Sequence, residues 1–151
     1  VPGRGGHTSS ATMSAPSDAL PPRLKHRLEG RRGLFTYGGR RKATALLDPE
    51  DRNWVPVTHE VVRVHPETGR RGLYFDPGKI LSIEGLDEHE SDAVIEELTG
   101  RMIQPDAEYH HQWRTGDIVI WDNRCSYHKA AGDYPPEEDR IHWRVSIKDR
   151  V

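Results

Sequence analysis

Hydrophobic and polar positions alternate with a period of two in several short runs of this chain. In two longer runs they recur every three to four residues. RIHWRVSIK (140–148) is the most regular of the first kind. Ile141, Trp143, Val145 and Ile147 fall on one face, and Arg140, His142, Arg144, Ser146 and Lys148 on the other. AEYHHQWR (107–114), DIVIW (117–121) and RCSYH (124–128) read as further strands, separated by a Thr-Gly-Asp turn and followed by a Gly-Asp-Tyr-Pro-Pro loop. VTHEVVRVHPETGRRGLYF (57–75) predicts a hairpin around Pro-Glu-Thr-Gly, and residues 8–14 a strand after a glycine-rich start. SDALPPRLKHRLEG (17–30) predicts one helix, with Leu20, Leu24 and Leu28 at four-residue spacing and Gly30 as its stop. DEHESDAVIEELTGRM (87–102) predicts a second, with acids in its first turns and Val94, Ile95, Leu98 and Met102 on one stripe. Residues 31–56 hold no sustained period and are expected to form a long loop or lid. Many strands and two helices predict a mainly β domain, an antiparallel sandwich or jelly roll.

Bulk composition narrows the function. The 151 residues suffice for one domain with a real core. Hydrophobic residues make up 34% and charged residues 30%, and the mean hydropathy is −0.82, polar but compatible with folding. A net charge of −2 provides no broad basic field, which argues against nucleic acid. Apolar runs are too short for a membrane span. The single cysteine, Cys125, excludes an intramolecular disulfide and suits a cytoplasmic location. The opening VPGRGGHTSS has neither an initiator methionine nor a signal-peptide pattern, and reads as though it begins partway through a longer protein.

Candidate chemistry concentrates on two polar strand faces. Arg140 and Arg144 share one, about 13 Å apart at the rise of a strand, so they would serve two anionic groups rather than one. A solvated strand face explains the same pattern. Arg124, Ser126 and His128 share another face, and His128 alone reads either as a strand-end polar residue or as a metal ligand. HExxH, paired CxxC and glycine-rich phosphate loops are all missing. His110 and His111 are adjacent in a strand, so their side chains face opposite ways and cannot chelate one ion together. Cys125, on the face opposite His128, is expected to pack.

GGHTSSATMSAPSDALP (5–21), HEVVRVHPETGRRGLYF (59–75), and above all WRTGDIVIWDNRCSYHKA (113–130) followed by RIHWR (140–144) resemble the taurine dioxygenase and 2,4-dichlorophenoxyacetate dioxygenase family. The resemblance runs in order over nearly the whole chain. It implies a double-stranded β-helix (jelly-roll) core with two or so flanking helices, incomplete at the N-terminus, with residues 1–151 a single partial oxygenase domain. It further implies Fe(II), with 2-oxoglutarate and O2 as cosubstrates: 2-oxoglutarate is decarboxylated to succinate and CO2 while a C–H bond of a small organic substrate is oxidised. Carried over by position, His128 resembles one histidine of a two-His-one-carboxylate iron site. Arg140 and Thr8 resemble the residues that hold the far carboxylate of 2-oxoglutarate, and Arg144 resembles a contact to an anionic substrate. A small-molecule substrate is the implied partner, with self-association into a homo-oligomer left open.

The chain departs from the family pattern in one major respect. The remaining two ligands form a His-x-Asp pair upstream of Gly-Gly-x-Thr, and none of the nine histidines here has aspartate two positions later. The expectation is therefore the C-terminal part of a longer protein, with His-x-Asp roughly 25 residues before Thr8 by the family's spacing. This chain alone would hold iron weakly or not at all and would be inactive by itself. His7 stands where the family often has aspartate, and Lys129 follows the ligand histidine. The alternatives are a non-catalytic jelly-roll module that binds a small molecule, and a different metal site in which His110 or His111 joins His128.

Overall fold

A computed structural model of the chain describes residues 1–36, 55–102 and 107–147. Eight strands and three helices follow one another among them: β1 (Thr8–Thr12), α1 (Ser14–Ala19), α2 (Pro22–Leu28), β2 (Arg32–Phe35), β3 (Val57–Glu60), β4 (Val62–Val64), β5 (Arg71–Leu73), β6 (Ile80–Ile83), α3 (Glu88–Met102), β7 (Glu108–His111) and β8 (Ser126–Ala130). They form three antiparallel sheets, ordered β7-β1-β8, β3-β2-β6 and β4-β5, none of them closed.

The predicted helix over 17–30 is two helices. Leu20 precedes Pro21 and is extended, because a residue before proline is driven out of the helical region. Pro22 then starts α2 at a position where its missing N–H costs nothing. Both pieces still bury the leucine stripe: Leu20, Leu24 and Leu28 join Val94, Leu98 and Met102 of α3 in one core with Val61, Leu73, Ile80 and Ile83. Helix α3 begins with a reciprocal cap. Asp87 Oδ1 accepts the Glu90 N–H at 2.8 Å, and Glu90 Oε2 accepts the Asp87 N–H at 3.3 Å.

The predicted hairpin over 57–75 holds only for its inner part. β4 and β5 pair across the Pro66–Gly69 turn, where Gly69 has φ +68°. The chain breaks at Val61, fully buried, and β3 pairs instead with β2. Within the stretch read as a loop, 31–56, β2 is a central strand; the rest, 37–54, lies outside the described residues. β6 was also unexpected. Both missed strands are four residues long, and β2 carries a glycine, Gly33, which usually weakens a strand. Here a Cβ would lie 2.8 Å from the Phe35 ring and 3.1 Å from Ile80, so any larger residue would push those core side chains aside.

Two strongly alternating segments are not strands. Residues 117–121 and 140–147 have no ladder partner among the described residues. Their apolar faces lie open: Ile118 is 86% exposed, Ile120 89%, Trp143 96% and Ile147 95%. Alternation supplies the face, but a strand exists only where a neighbour completes its hydrogen bonds.

Candidate functional site

The β7-β1-β8 sheet sorts the candidate residues by face. Thr8 lies opposite His111 and Ala130, and Ser10 opposite Tyr109 and His128, so Thr8, Ser10, His111 and His128 share one side. Ser9, His110 and Lys129 share the other. Thr8 and His128 therefore sit on neighbouring strands, offset by one two-residue repeat, roughly 7 Å along the strand direction.

Gly5 and Gly6 lead into β1 with φ of +68° and +67°, a conformation that favours glycine. A Cβ on Gly5 would stand 2.5 Å from the Asp133 carbonyl oxygen, and one on Gly6 within 3.4 Å of the Arg140 side chain. The tight turn brings Arg140 against the chain: its Nε–H donates to the Gly6 carbonyl at 2.8 Å, and an Nη2–H donates to Thr8 Oγ1 at 3.2 Å. The Trp113 indole N–H donates to the same oxygen at 2.9 Å. Thr8 is buried. A hydroxyl has two lone pairs and one proton, and here both lone pairs are taken. The proton has no acceptor among the described residues, and Arg140 has no carboxylate partner among them. A buried hydroxyl proton beside an uncompensated guanidinium suits an anion with two oxygens.

His128 and Arg144 line a separate cavity of about 480 Å³, together with Phe35, His59, Tyr74 and Lys79. Burial holds the His128 imidazole below its ordinary pKa of 6.5, and the positive charges of Arg144 and Lys79 push it further the same way. The ring stays neutral at physiological pH and packs against Trp121, tilted 47° to it with centroids 4.7 Å apart. It makes no hydrogen bond among the described residues, which leaves its nitrogens for a ligand. Phe35, His59 and Tyr74 form an aromatic wall with centroid separations of 4.8 to 5.9 Å, and Arg63 lies over the Tyr74 ring at 5.0 Å. Lys79 pairs with Asp76 at 3.3 Å.

The sequence reading picked out Thr8, His128, Arg140 and Arg144. The structure joins Thr8 to Arg140 and puts His128 with Arg144, so the two arginines serve different places. Trp113, Gly6 and Lys79 were missed. Trp113 reads as an ordinary aromatic until the fold brings it to Thr8 across 105 positions. His110 and His111 do face opposite ways. His110 bonds Ser9 Oγ at 2.8 Å on the far side, while His111 bonds Asp117 at 3.0 Å and does not join His128 in a ligand cluster. A second concavity of about 500 Å³ also lies on that far side, lined by His7, Ser9, Lys129 and Asp133, and contains none of the four candidates.

Among the described residues, the one group of three metal-capable atoms within 4.8 Å of one another is His65, Asp122 and Cys125. Its hydrogen bonds oppose a metal there. His65 Nδ1 accepts the backbone N–H groups of Glu67 and Thr68, both at 3.3 Å, which places the ring proton on Nε2, aimed at Asp122 Oδ2 3.1 Å away. Asp122 also accepts the Arg124 backbone N–H and the Nε–H and Nη2–H of its guanidinium. Arg124 hydrogen bonding holds Asp122 far below the usual carboxylate range. Burial pushes the Cys125 thiol up, away from the reactive thiolate. The cluster braces the turn ahead of β8, and so the strand that carries His128.

Comparison with known proteins gives the class. Several relatives over most of the chain are named alpha-ketoglutarate-dependent dioxygenases, which are oxidoreductases. One is the (S)-phenoxypropionate/alpha-ketoglutarate-dioxygenase of Sphingobium herbicidovorans, 36% identical over 97% of this chain and 54% of its own length. Another is the alpha-ketoglutarate-dependent 2,4-dichlorophenoxyacetate dioxygenase of Cupriavidus pinatubonensis, 36% identical over 86% of this chain and 46% of its own length. The crystal structure of AAD-2 in complex with Mn(II) and N-oxalylglycine superposes with a TM-score of 0.81 at 27% identity, covering 93% of this chain and 56% of that one. Residues 1–146 match the model of the Taurine catabolism dioxygenase TauD, TfdA family, and the chain belongs to that family. It spans about half the length of the curated relatives it matches.

Proposed function

We propose that this chain is the cosubstrate-binding part of an Fe(II)- and 2-oxoglutarate-dependent dioxygenase acting on a small anionic organic substrate. The observation that carries the reading is the cradle of Thr8 and Arg140: a buried proton donor beside a guanidinium without an acidic partner among the described residues. In this reading the cradle holds the far carboxylate of 2-oxoglutarate, and His128, two residues along on the neighbouring strand, supplies one metal ligand. Iron, when bound, would supply the oxidising chemistry. The donor set fits it only in part. His128 is neutral and offers a free nitrogen, but no second and third ligand stand beside it among the described residues.

The remaining ligands are assigned to a segment preceding Val1, which makes residues 1–151 a partial oxygenase domain. The roles of the other residues follow from their places. Arg144 gives the cavity a positive group suited to a carboxylate or sulfonate, while Lys79 on the same wall is paired with Asp76. The Phe35–His59–Tyr74 wall offers an apolar surface to the substrate body, in keeping with the phenoxy acids that name two of the relatives.

The test is succinate formation from 2-oxoglutarate by the complete protein with Fe(II) and ascorbate. His128→Ala should abolish it. Arg140→Ala should raise the KM for 2-oxoglutarate about 30-fold or more, the factor for removing one partner of a buried charged pair at about 2 kcal/mol. Turnover indifferent to both substitutions would sink the proposal. The shortage of ligands favours one second reading, a binding module without catalysis. Saturable 2-oxoglutarate binding with no turnover in the complete protein would decide for it. Tight stoichiometric Fe(II) uptake by the 151-residue chain alone would contradict the assignment of ligands outside it.

A further inference from the structure

Trp113 makes contacts that core packing does not require. Its indole N–H is spent on a side-chain oxygen 105 positions away, Thr8 Oγ1, at 2.9 Å. Its ring makes edge-on contacts with two imidazoles, His111 and His142, each with its centroid 4.6 Å away at an interplanar angle of 82°. His111 is itself fixed by Asp117 at 3.0 Å. The tryptophan therefore cannot turn without disturbing both neighbours, and its N–H has one direction.

That direction matters because of how a hydroxyl divides its capacity. Thr8 Oγ1 could accept one hydrogen bond and donate its proton to any nearby carbonyl, or accept two and donate outward. Arg140 fills one lone pair. The Trp113 N–H fills the other, so the threonine proton is the only bonding capacity left. We infer that Trp113 is a positioning residue: by occupying the second lone pair of Thr8, it commits the threonine proton to an incoming carboxylate held by Arg140. This rests on the reading of Thr8 and Arg140 as a carboxylate cradle. It goes beyond that reading by giving a role to a residue that does not touch the carboxylate.

The complete protein, labelled with ¹⁵N at tryptophan, offers a readout independent of turnover. Trp113→Phe identifies the Trp113 indole signal. Thr8→Val should move that signal upfield and speed its exchange with solvent at least tenfold, while Thr8→Ser should leave both close to wild type. Titration with 2-oxoglutarate should shift the Trp113 signal, and Trp113→Phe should weaken the measured Kd about fivefold, the effect of one hydrogen bond. Trp143→Phe, at an exposed position, should leave the Kd unchanged. If Trp113→Phe binds within twofold of wild type while Arg140→Ala loses binding, Trp113 has no positioning role and the cradle reading stands. An indole signal unmoved in Thr8→Val would overturn the inference equally. If wild type does not bind 2-oxoglutarate, or Arg140→Ala binds as well as wild type, the cradle reading itself fails and takes the inference with it.

Discussion

His65 and Asp122 are 57 positions apart and meet through a single N–H, Nε2 to Oδ2 at 3.1 Å, with the opposite ring nitrogen occupied by two backbone donors. This pair ties the β4–β5 turn to the turn ahead of β8. It makes the placement of His128 depend on a residue with no chemistry of its own.

Asp122→Asn should lower stability by about 1–2 kcal/mol in urea unfolding, a range discounted for the partial exposure of the carboxylate. The sign of the acid response follows from the lowered carboxylate. Asp122 stays ionised in the folded chain below its ordinary 3.8, so its contribution is complete above that value and is lost progressively as pH falls from there towards the lowered folded-state value. In the Asn variant that acid limb should flatten.

A second pH dependence begins nearer neutrality. His59, His128 and His142 are all held below 6.5, chiefly by burial, with nearby arginines adding to the effect. The unfolded chain therefore binds more protons below 6.5 than the folded one, and stability declines as pH falls from there. Thermal unfolding between pH 7.5 and 5 should show Tm dropping. Arg144→Gln should raise the midpoint of the His128 ring signal in an NMR titration.

Gly5→Ala should cost about 1–3 kcal/mol, since it combines a positive φ with a Cβ 2.5 Å from the Asp133 carbonyl. Arg140 would lose its seat against Gly6, so 2-oxoglutarate affinity should fall along with the midpoint of urea unfolding. A variant with full affinity and full stability would show that the turn does not set the cradle.

The open apolar faces of 117–121 and 140–147 predict self-association of this chain. Sedimentation velocity should show species growing with concentration. Ile120→Lys combined with Trp143→Lys should return the chain toward monomer without loss of helical signal.

What the sequence revealed depended on range. Pattern alone located α3, β1 and the inner hairpin, because caps, turns and alternation act over a few residues. It misplaced 117–121 and 140–147 for the same reason: the alternation of Ile118, Ile120, Trp143 and Ile147 states which side wants cover, and says nothing of whether a neighbour provides it. β2 stayed hidden because Gly33 looks like a strand-breaker until Phe35 and Ile80 close over it. In the site, Thr8 and Arg140 stood out through resemblance, whereas Trp113 had no local signal. Its partner is reached only through the β1–β7 ladder.

The face-sorting of the β7-β1-β8 sheet also sets the chain's tolerance of length change. Thr8, Ser10 and His128 carry one side by parity alone, with His7, Ser9 and Lys129 on the reverse. A one-residue insertion in the Gly-Asp-Tyr-Pro-Pro loop leaves that parity intact. The same insertion between Ser126 and His128 turns the histidine to the far side and presents its neighbour instead, emptying the proposed ligand position without changing the histidine itself.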